Sequence, residues 1–253
     1  MPLRIGFDLD GVLADMESEL VRQAEMLFGE SMTRVLEQRA DTGPPTPDPA
    51  EAGGPALENA PAIDRLHMTA RQQRRLWKHV ESIENFWQSL QETEPGVIGR
   101  LHKLATERRW EIIFLTKRPQ SAGATCQIQS QRWLESKGYS LPSAYVVQTS
   151  RGRIAEALGL DIVIDDRPEN CLDVVTDSKA RAILVWRDKD KQVPAAARRL
   201  GIGVVTSVNQ CLDVLLEIDS AEANEPSVMD RVRRMLGLKP AAKPAKEPST
   251  ISH

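Results

Sequence analysis

The sequence predicts an α/β fold: a doubly wound parallel sheet with a small helical cap inserted after its first strand. Three observations predict it. Short apolar runs alternate with helical patterns through most of the 253 residues, the stretch from Met16 to Gln91 breaks that rhythm with helical patterns alone, and acidic or hydroxyl residues follow three of the runs. Strands that alternate with helices pair in parallel, because each crossover helix has to lie on a face of the sheet.

The elements follow in order. Leu3–Leu9 (LRIGFDL) reads as a buried strand. Next come Trp110–Leu115, Ala144–Val147, Asp161–Ile164 and Arg181–Trp186, with Gly203–Val205 as a weaker sixth run. Between them, one helical pattern starts after Pro95 and runs through Leu101, Leu104 and Ala105. A second spans Gln120–Lys137 and stops at Gly138, since glycine readily takes the left-handed conformation that ends a helix. Arg153–Leu158, Cys171–Val175 and Val208–Ile218 complete the set.

Domain organisation follows from where this pattern fails. Residues 1–15 and 92–219 form the expected core, and 16–91 the inserted helical cap. From Asp41 to Pro61 there are six prolines, three glycines and one large apolar residue, Leu57; Asp41–Asp64 adds five acids and no base. Such a stretch buries too little apolar area to offset the entropy of ordering it, so 41–62 is expected to be disordered. The tail, 220–253, is rich in Ala, Pro and Lys, with a possible basic helix over 227–238.

Net charge is −3, which excludes a globally basic binder of nucleic-acid polymers. No apolar run reaches the roughly 20 residues of a membrane span. Asp8 and Asp10 interrupt the N-terminal apolar stretch, which is unlike a secretion signal. The three cysteines, Cys126, Cys171 and Cys211, have neither metal-site nor disulfide spacing and read as small buried hydrophobes in a cytoplasmic protein.

The chemistry gathers where strands end. In a doubly wound sheet, ligands sit beyond the carboxyl ends of strands near the switch point of strand order. The first strand is followed by Asp8-Leu9-Asp10-Gly11, the second by Thr116-Lys117-Arg118-Pro119, and the fourth by Asp165-Asp166-Arg167-Pro168. Alone, each has a bland reading: a turn for Asp-Leu-Asp-Gly, a helix N-cap for Asp165-Asp166, a satisfied hydroxyl for Thr116. A calcium hand is excluded, because its glycine sits at the sixth loop position. Together, the carboxylates of Asp8, Asp10, Asp165 and Asp166 would repel one another unless a cation intervened. Mg²⁺ with a substrate phosphate, Lys117 and Arg151 as counter-charges and a proton held on Asp10 bring the group to about −1. The coherent assembly is a site for phosphoryl transfer.

At this point the sequence resembles the haloacid dehalogenase-like hydrolase superfamily, whose motifs run D-x-D-G, Thr/Ser, Lys/Arg and an acidic pair. The match covers Leu3–Leu13 and Pro95–Ile218. DLDGVLAD (Asp8–Asp15), FWQSLQETEPGVIGRL (Phe86–Leu101) and IDDRPEN (Ile164–Asn170) look most like the deoxyribonucleotidase branch. The resemblance implies a Rossmann-like core and a Mg²⁺-dependent phosphatase. Asp8 would be the nucleophile that forms an aspartyl-phosphate, and Asp10 the general acid and base. Thr116 and backbone N–H groups would hold phosphoryl oxygens, with Lys117 beside them. The third motif's cation would be Arg151 or, failing that, Arg153. Metal would be held by Asp8, the Asp10 carbonyl, and Asp165 and/or Asp166.

The expected substrate is a nucleotide-like monophosphate, with a sugar or other metabolite phosphate as the alternative. Trp77, Phe86 and Trp87 are candidates for stacking on a base, against the commoner role of helix-spaced aromatics in a core. Lys117-Arg118 departs from the Ser-Pro expected in the branch, and its extra charge serves either a more anionic substrate or the surface. Two rivals belong to other classes. A phospho-signalling receiver would need its acceptor acid at the third strand end, where Val147-Gln148-Thr149 has none. The other is a binding protein that kept the fold and lost the activity.

Overall fold

A computed structural model describes residues 2–30, 34, 66, 68–188 and 192–223. The expected insertion 41–62 and the basic segment 227–238 lie outside the described residues.

Six strands form one sheet: β1 (Arg4–Asp8), β4 (Glu111–Thr116), β5 (Ser143–Val146), β6 (Ile162–Asp165), β7 (Arg181–Val185) and β8 (Gly203–Val205). Their order is β5-β4-β1-β6-β7-β8, and every pairing is parallel. The chain steps outward from β1 to β4 and β5, then crosses back to β6 and steps outward the other way. The strand order therefore reverses beside β1, and a crevice opens at the carboxyl ends of β4, β1 and β6.

Helices cover both faces. They are α1 (Met16–Phe28), α2 (Ala70–Ser82), α3 (Val97–Arg108), α4 (Cys126–Ser136), α5 (Arg151–Leu158), α6 (Pro168–Asp177), α7 (Ala195–Arg199) and α8 (Val208–Ala223). Period-two alternation divides each strand between two cores. Phe7, Phe114, Ile164, Ile183 and Val185 face the core built with α3, α4 and α8, through Ile98, Trp133 and Leu212. Leu115, Val163, Ala182 and Leu184 face the core built with α5, α6 and α7, through Ala155, Val174 and Ala197. The three cysteines are free and buried. Among the described residues, no helix is long and apolar enough to cross a membrane.

The segment expected to be a cap holds α1, α2 and a 3₁₀ turn, Phe86–Gln88, among its described residues. Leu20, Leu76, Trp77, Phe86 and Trp87 are buried and join the first core. Helix α2 begins at a capping box, in which the Thr69 side chain and Gln72 exchange bonds with each other's backbone N–H. A feature absent from the sequence reading closes this segment. Ala14–Asp15 (β2) and Gln91–Glu92 (β3) pair antiparallel where the chain leaves and returns.

Helix α4 is shorter than the expected Gln120–Lys137. Thr125 caps it, its Oγ1 accepting from Ile128 N at 3.3 Å. The preceding loop is held elsewhere: Asn85 donates its N–H to Ala122 O at 2.7 Å, and its side chain accepts from Ala124 N at 3.0 Å. Tertiary bonds outweigh helical propensity there.

Candidate active site

The site begins where β1 ends. Past Asp8 the chain turns tightly, with Gly11 N donating to Ala14 O at 2.9 Å and Ala14 N to Leu9 O at 2.7 Å. Gly11 takes φ 84°, in the left-handed region, and a Cβ on it would stand 2.0 Å from Oδ2 of Asp166. Glycine is required there on both counts. From behind, Arg187 ties the turn down by donating to Gly11 O and, at 3.0 Å, to Val12 O. Glu94 holds Arg187 at 3.1 Å and accepts from the N–H groups of Val208 and Asn209 at 2.6 and 2.9 Å, fixing the start of α8 to the same point.

Two charged clusters face the crevice. In the first, Arg151 in the opening turn of α5 bonds Asp8 through Nη2 and approaches Asp165 through Nε at 3.4 Å. Asp165, fully buried, also accepts from Arg167 N at 2.9 Å and Asn170 Nδ2 at 3.0 Å. The remaining donor, Nη1 of Arg151, is buried and has no acceptor among the described residues. Arg153, one step around the helix, is exposed. Of the two arginines, Arg151 is the one that lies buried against Asp8.

In the second cluster, Asp10 accepts from Thr116 Oγ1 at 2.7 Å and from Arg118 Nε at 2.9 and 3.1 Å, with Arg118 Nη2 2.8 Å from Oδ1. That Nη2 contact is an ion pair without hydrogen-bond alignment. Arg118 is 1% exposed, so its charge serves neither the surface nor a distant part of a substrate. Lys117 beside it is half-buried and makes no hydrogen bond or ion pair among the described residues. Trp77, Phe86 and Trp87 are 2%, 1% and 0% exposed. They are core residues, which removes the base-stacking surface entertained from the sequence.

Four carboxylates, those of Asp8, Asp10, Asp165 and Asp166, face two buried guanidiniums, and the imbalance is visible in the acidities of Asp8, Asp165 and Asp166. Burial pushes Asp8 well above the ordinary carboxylate range; Arg151 opposes this, while Asp165, Asp166 and Asp10 add to it. Burial likewise raises Asp165 against Arg151 and the N–H of Arg167. Asp166 is pushed up to about 7 by burial and by the charge of Asp165. Burial works against the Arg151 cation, but Asp8 and Asp165 outweigh it and hold it charged.

With all four carboxylates ionised, two negative charges stand uncompensated in the crevice, and that state suits a divalent cation of the hard, oxygen-seeking kind. Among the described residues, no group of three or more His, Cys, Asp or Glu side chains closes tightly enough to hold a metal alone. Mg²⁺ does not need such a cage, since it is bound by one or two carboxylates, waters and a substrate phosphate. In charge and donor type, the residues fit it.

The sequence missed Arg118 as a site residue, and it missed the Arg187–Glu94 brace entirely. Arg118 carried a signal, an unexpected cation directly after Thr116-Lys117. Arg187 carried none, because only the folded sheet brings the end of β7 behind the turn after β1.

A scan against protein-family models finds no match, and a search of curated proteins finds none either. Solved structures do resemble the chain. A haloacid dehalogenase-like family hydrolase from Streptococcus pneumoniae is 15% identical over 85% of this chain and 98% of its own, with a TM-score of 0.48. A HAD family hydrolase from Deinococcus radiodurans with bound phosphate and sodium is 15% identical over 87% and 97%, with a TM-score of 0.49. A phosphonoacetaldehyde hydrolase-like protein from Oleispira antarctica is 14% identical over 89% and 96%, with a TM-score of 0.48. At these identities and scores no residue role passes from those chains to this one.

Proposed function

We propose that the protein is a Mg²⁺-dependent phosphomonoester hydrolase of the haloacid dehalogenase-like type, acting through an aspartyl-phosphate on Asp8. One observation carries the reading: a buried Asp8 lies against a buried Arg151 whose Nη1 donor has no acceptor among the described residues. An unmet buried donor costs about 1–3 kcal/mol. A phosphoryl oxygen placed between Asp8 and Arg151 would accept from it, and would bring the phosphorus to the nucleophile.

Asp8 attacks phosphorus and the bond to the leaving oxygen breaks, with Asp10 supplying the proton that the alcohol takes away. Asp10, now ionised, takes a proton from water as that water attacks the aspartyl-phosphate. The P–O bond to Asp8 breaks, phosphate leaves and the carboxylate is restored. Thr116, which bonds Asp10 at 2.7 Å, is also within the same strand end to donate to a phosphoryl oxygen. Arg151 neutralises the transferring group while keeping Asp8 oriented, and Lys117 is assigned to the substrate side. Mg²⁺, held by Asp8, the Asp10 carbonyl and Asp165 and/or Asp166, would supply Lewis-acid polarisation of the phosphoryl oxygens.

The substrate is a small monophosphate. Nucleotide-like monophosphates come first in the trial panel and sugar phosphates second. The test is phosphate release from that panel with and without Mg²⁺, alongside Asp8→Asn and Asp10→Asn. Both substitutions are expected to abolish turnover in a folded protein. Wild type that releases no phosphate from any ester overturns the reading, and full activity in Asp8→Asn overturns the covalent route.

A further inference from the structure

The guanidinium of Arg118 is bonded through Nη1 and Nε and flanked by two rings, while Nη2 has no aligned hydrogen-bond acceptor among the described residues. Nη1 donates to Ser130 Oγ on α4 at 3.0 Å, while Nε and Nη2 face Asp10. Its carbon lies 5.1 Å from the ring centroid of Trp87 and 5.6 Å from that of Trp133, within the range of cation–π attraction. Those rings are themselves fixed. Trp87 Nε1 donates to Pro119 O at 2.9 Å, and Trp133 Nε1 to Leu90 O at 2.8 Å. Trp87 N adds a bond to the buried side chain of Gln129 at 3.0 Å.

A charge this deep is costly unless it is paired and its donors are met. Here one partner is a serine hydroxyl and the other is the Asp10 carboxylate, which remains 11% exposed at its side chain. The tryptophans, Ser130 and Arg118 therefore form a rigid wall behind Asp10. That carboxylate keeps a small exposed edge, while Thr116 beside it is fully buried.

We propose that Arg118 is a positioning residue, whose locked guanidinium fixes the Asp10 carboxylate in the orientation from which it passes a proton to the leaving oxygen. The inference rests on the phosphatase reading above and adds a residue to it. Arg118 acts through Asp10 and does not touch the substrate. A misplacement of about 1 Å in such a group costs on the order of 10²-fold in rate.

Leaving-group dependence separates this role from a merely structural one. p-Nitrophenyl phosphate departs without help, whereas glycerol phosphate needs a proton on its leaving oxygen. In Arg118→Met, kcat/KM, which reports only the steps up to the aspartyl-phosphate and so leaves out the later use of Asp10 as base, is expected to fall about 10²-fold on glycerol phosphate and less than tenfold on p-nitrophenyl phosphate. Arg118→Lys restores part of the lost discrimination, because it returns the charge without the fork. Equal losses on both esters in a folded variant, or no loss at all, overturn the proposal. Where Arg118→Met fails to fold, Arg118→Lys and Ser130→Ala carry the test. Each is expected to show a smaller split in the same direction, and its absence in both overturns the proposal. Wild type inert on both esters overturns the phosphatase reading and this inference with it. An active wild type with no split overturns the role of Arg118 alone.

Discussion

Gly152 decides how Arg151 is presented, and substituting it measures how tightly α5 must lie on α6. An alanine Cβ there would stand 2.1 Å from the Asp173 carbonyl oxygen and 2.7 Å from both the Asp173 carbonyl carbon and the Asp177 Cβ. Ordinary contact begins at 3.4 Å, so the helices have to separate by the difference, about 1.3 Å. Two of the obstructing atoms are backbone and cannot swing aside. Overpacking of this kind costs about 1–3 kcal/mol. Gly152 does not take a positive φ, so alanine's better helix propensity returns up to about 1 kcal/mol. The balance, a net loss of about 1–2 kcal/mol, corresponds to a fall in Tm of about 2–8 °C for a chain of this size. The separation also carries the neighbouring Arg151 away from Asp8 and Asp165, at a cost of about 10²-fold in turnover. Circular-dichroism melts and phosphate release from p-nitrophenyl phosphate measure the two effects. A Gly152→Ala protein that melts within about 1 °C of wild type and turns over at the same rate would refute the reasoning.

Gly11→Ala forces a left-handed alanine against Asp166, and a stability loss of about 1–3 kcal/mol is expected in urea unfolding; an unchanged midpoint would show that the turn relaxes freely. Glu94 gives a pH signature. Burial alone would raise its carboxyl, but the N–H groups of Asn209 and Val208 and the Arg187 guanidinium together outweigh burial and hold it below the ordinary range. With the folded value below the unfolded one, its contribution is complete above the ordinary carboxylate value and is lost as pH falls through the folded one. The Tm gap between wild type and Glu94→Gln should therefore be widest near neutrality and close in acid; a gap independent of pH would contradict the brace.

Much of this architecture was legible in the chain. Asp8, Thr116 and Asp165 each close an apolar run, and a run of that kind in an alternating pattern becomes a central parallel strand with its last residue at the crevice. Arg151 was legible because it precedes a helix feeding the strand that ends in Asp165. What escaped was whatever depends on distant partners. Arg118 read as a cation for a more anionic substrate or for the surface, since the two tryptophans and the serine that surround it lie on other elements. The β2–β3 pairing spans only two residues on each side, too few for any alternation to register. The helix expected from Gln120 lost its first turn to Asn85, far away in sequence.

That small ribbon has a wider consequence. Because Ala14 pairs with Glu92 and Asp15 with Gln91, everything strung between them starts and finishes at one spot on the rim of the crevice. The entropy of closing such an excursion grows only with the logarithm of its length, about 0.6 kcal/mol for each doubling. The described part of the excursion is not separable from the catalytic frame, since Leu20, Leu76 and Trp87 pack into the first core. The ribbon is thus a clasp that anchors the departing and returning chain next to the turn that carries Asp10.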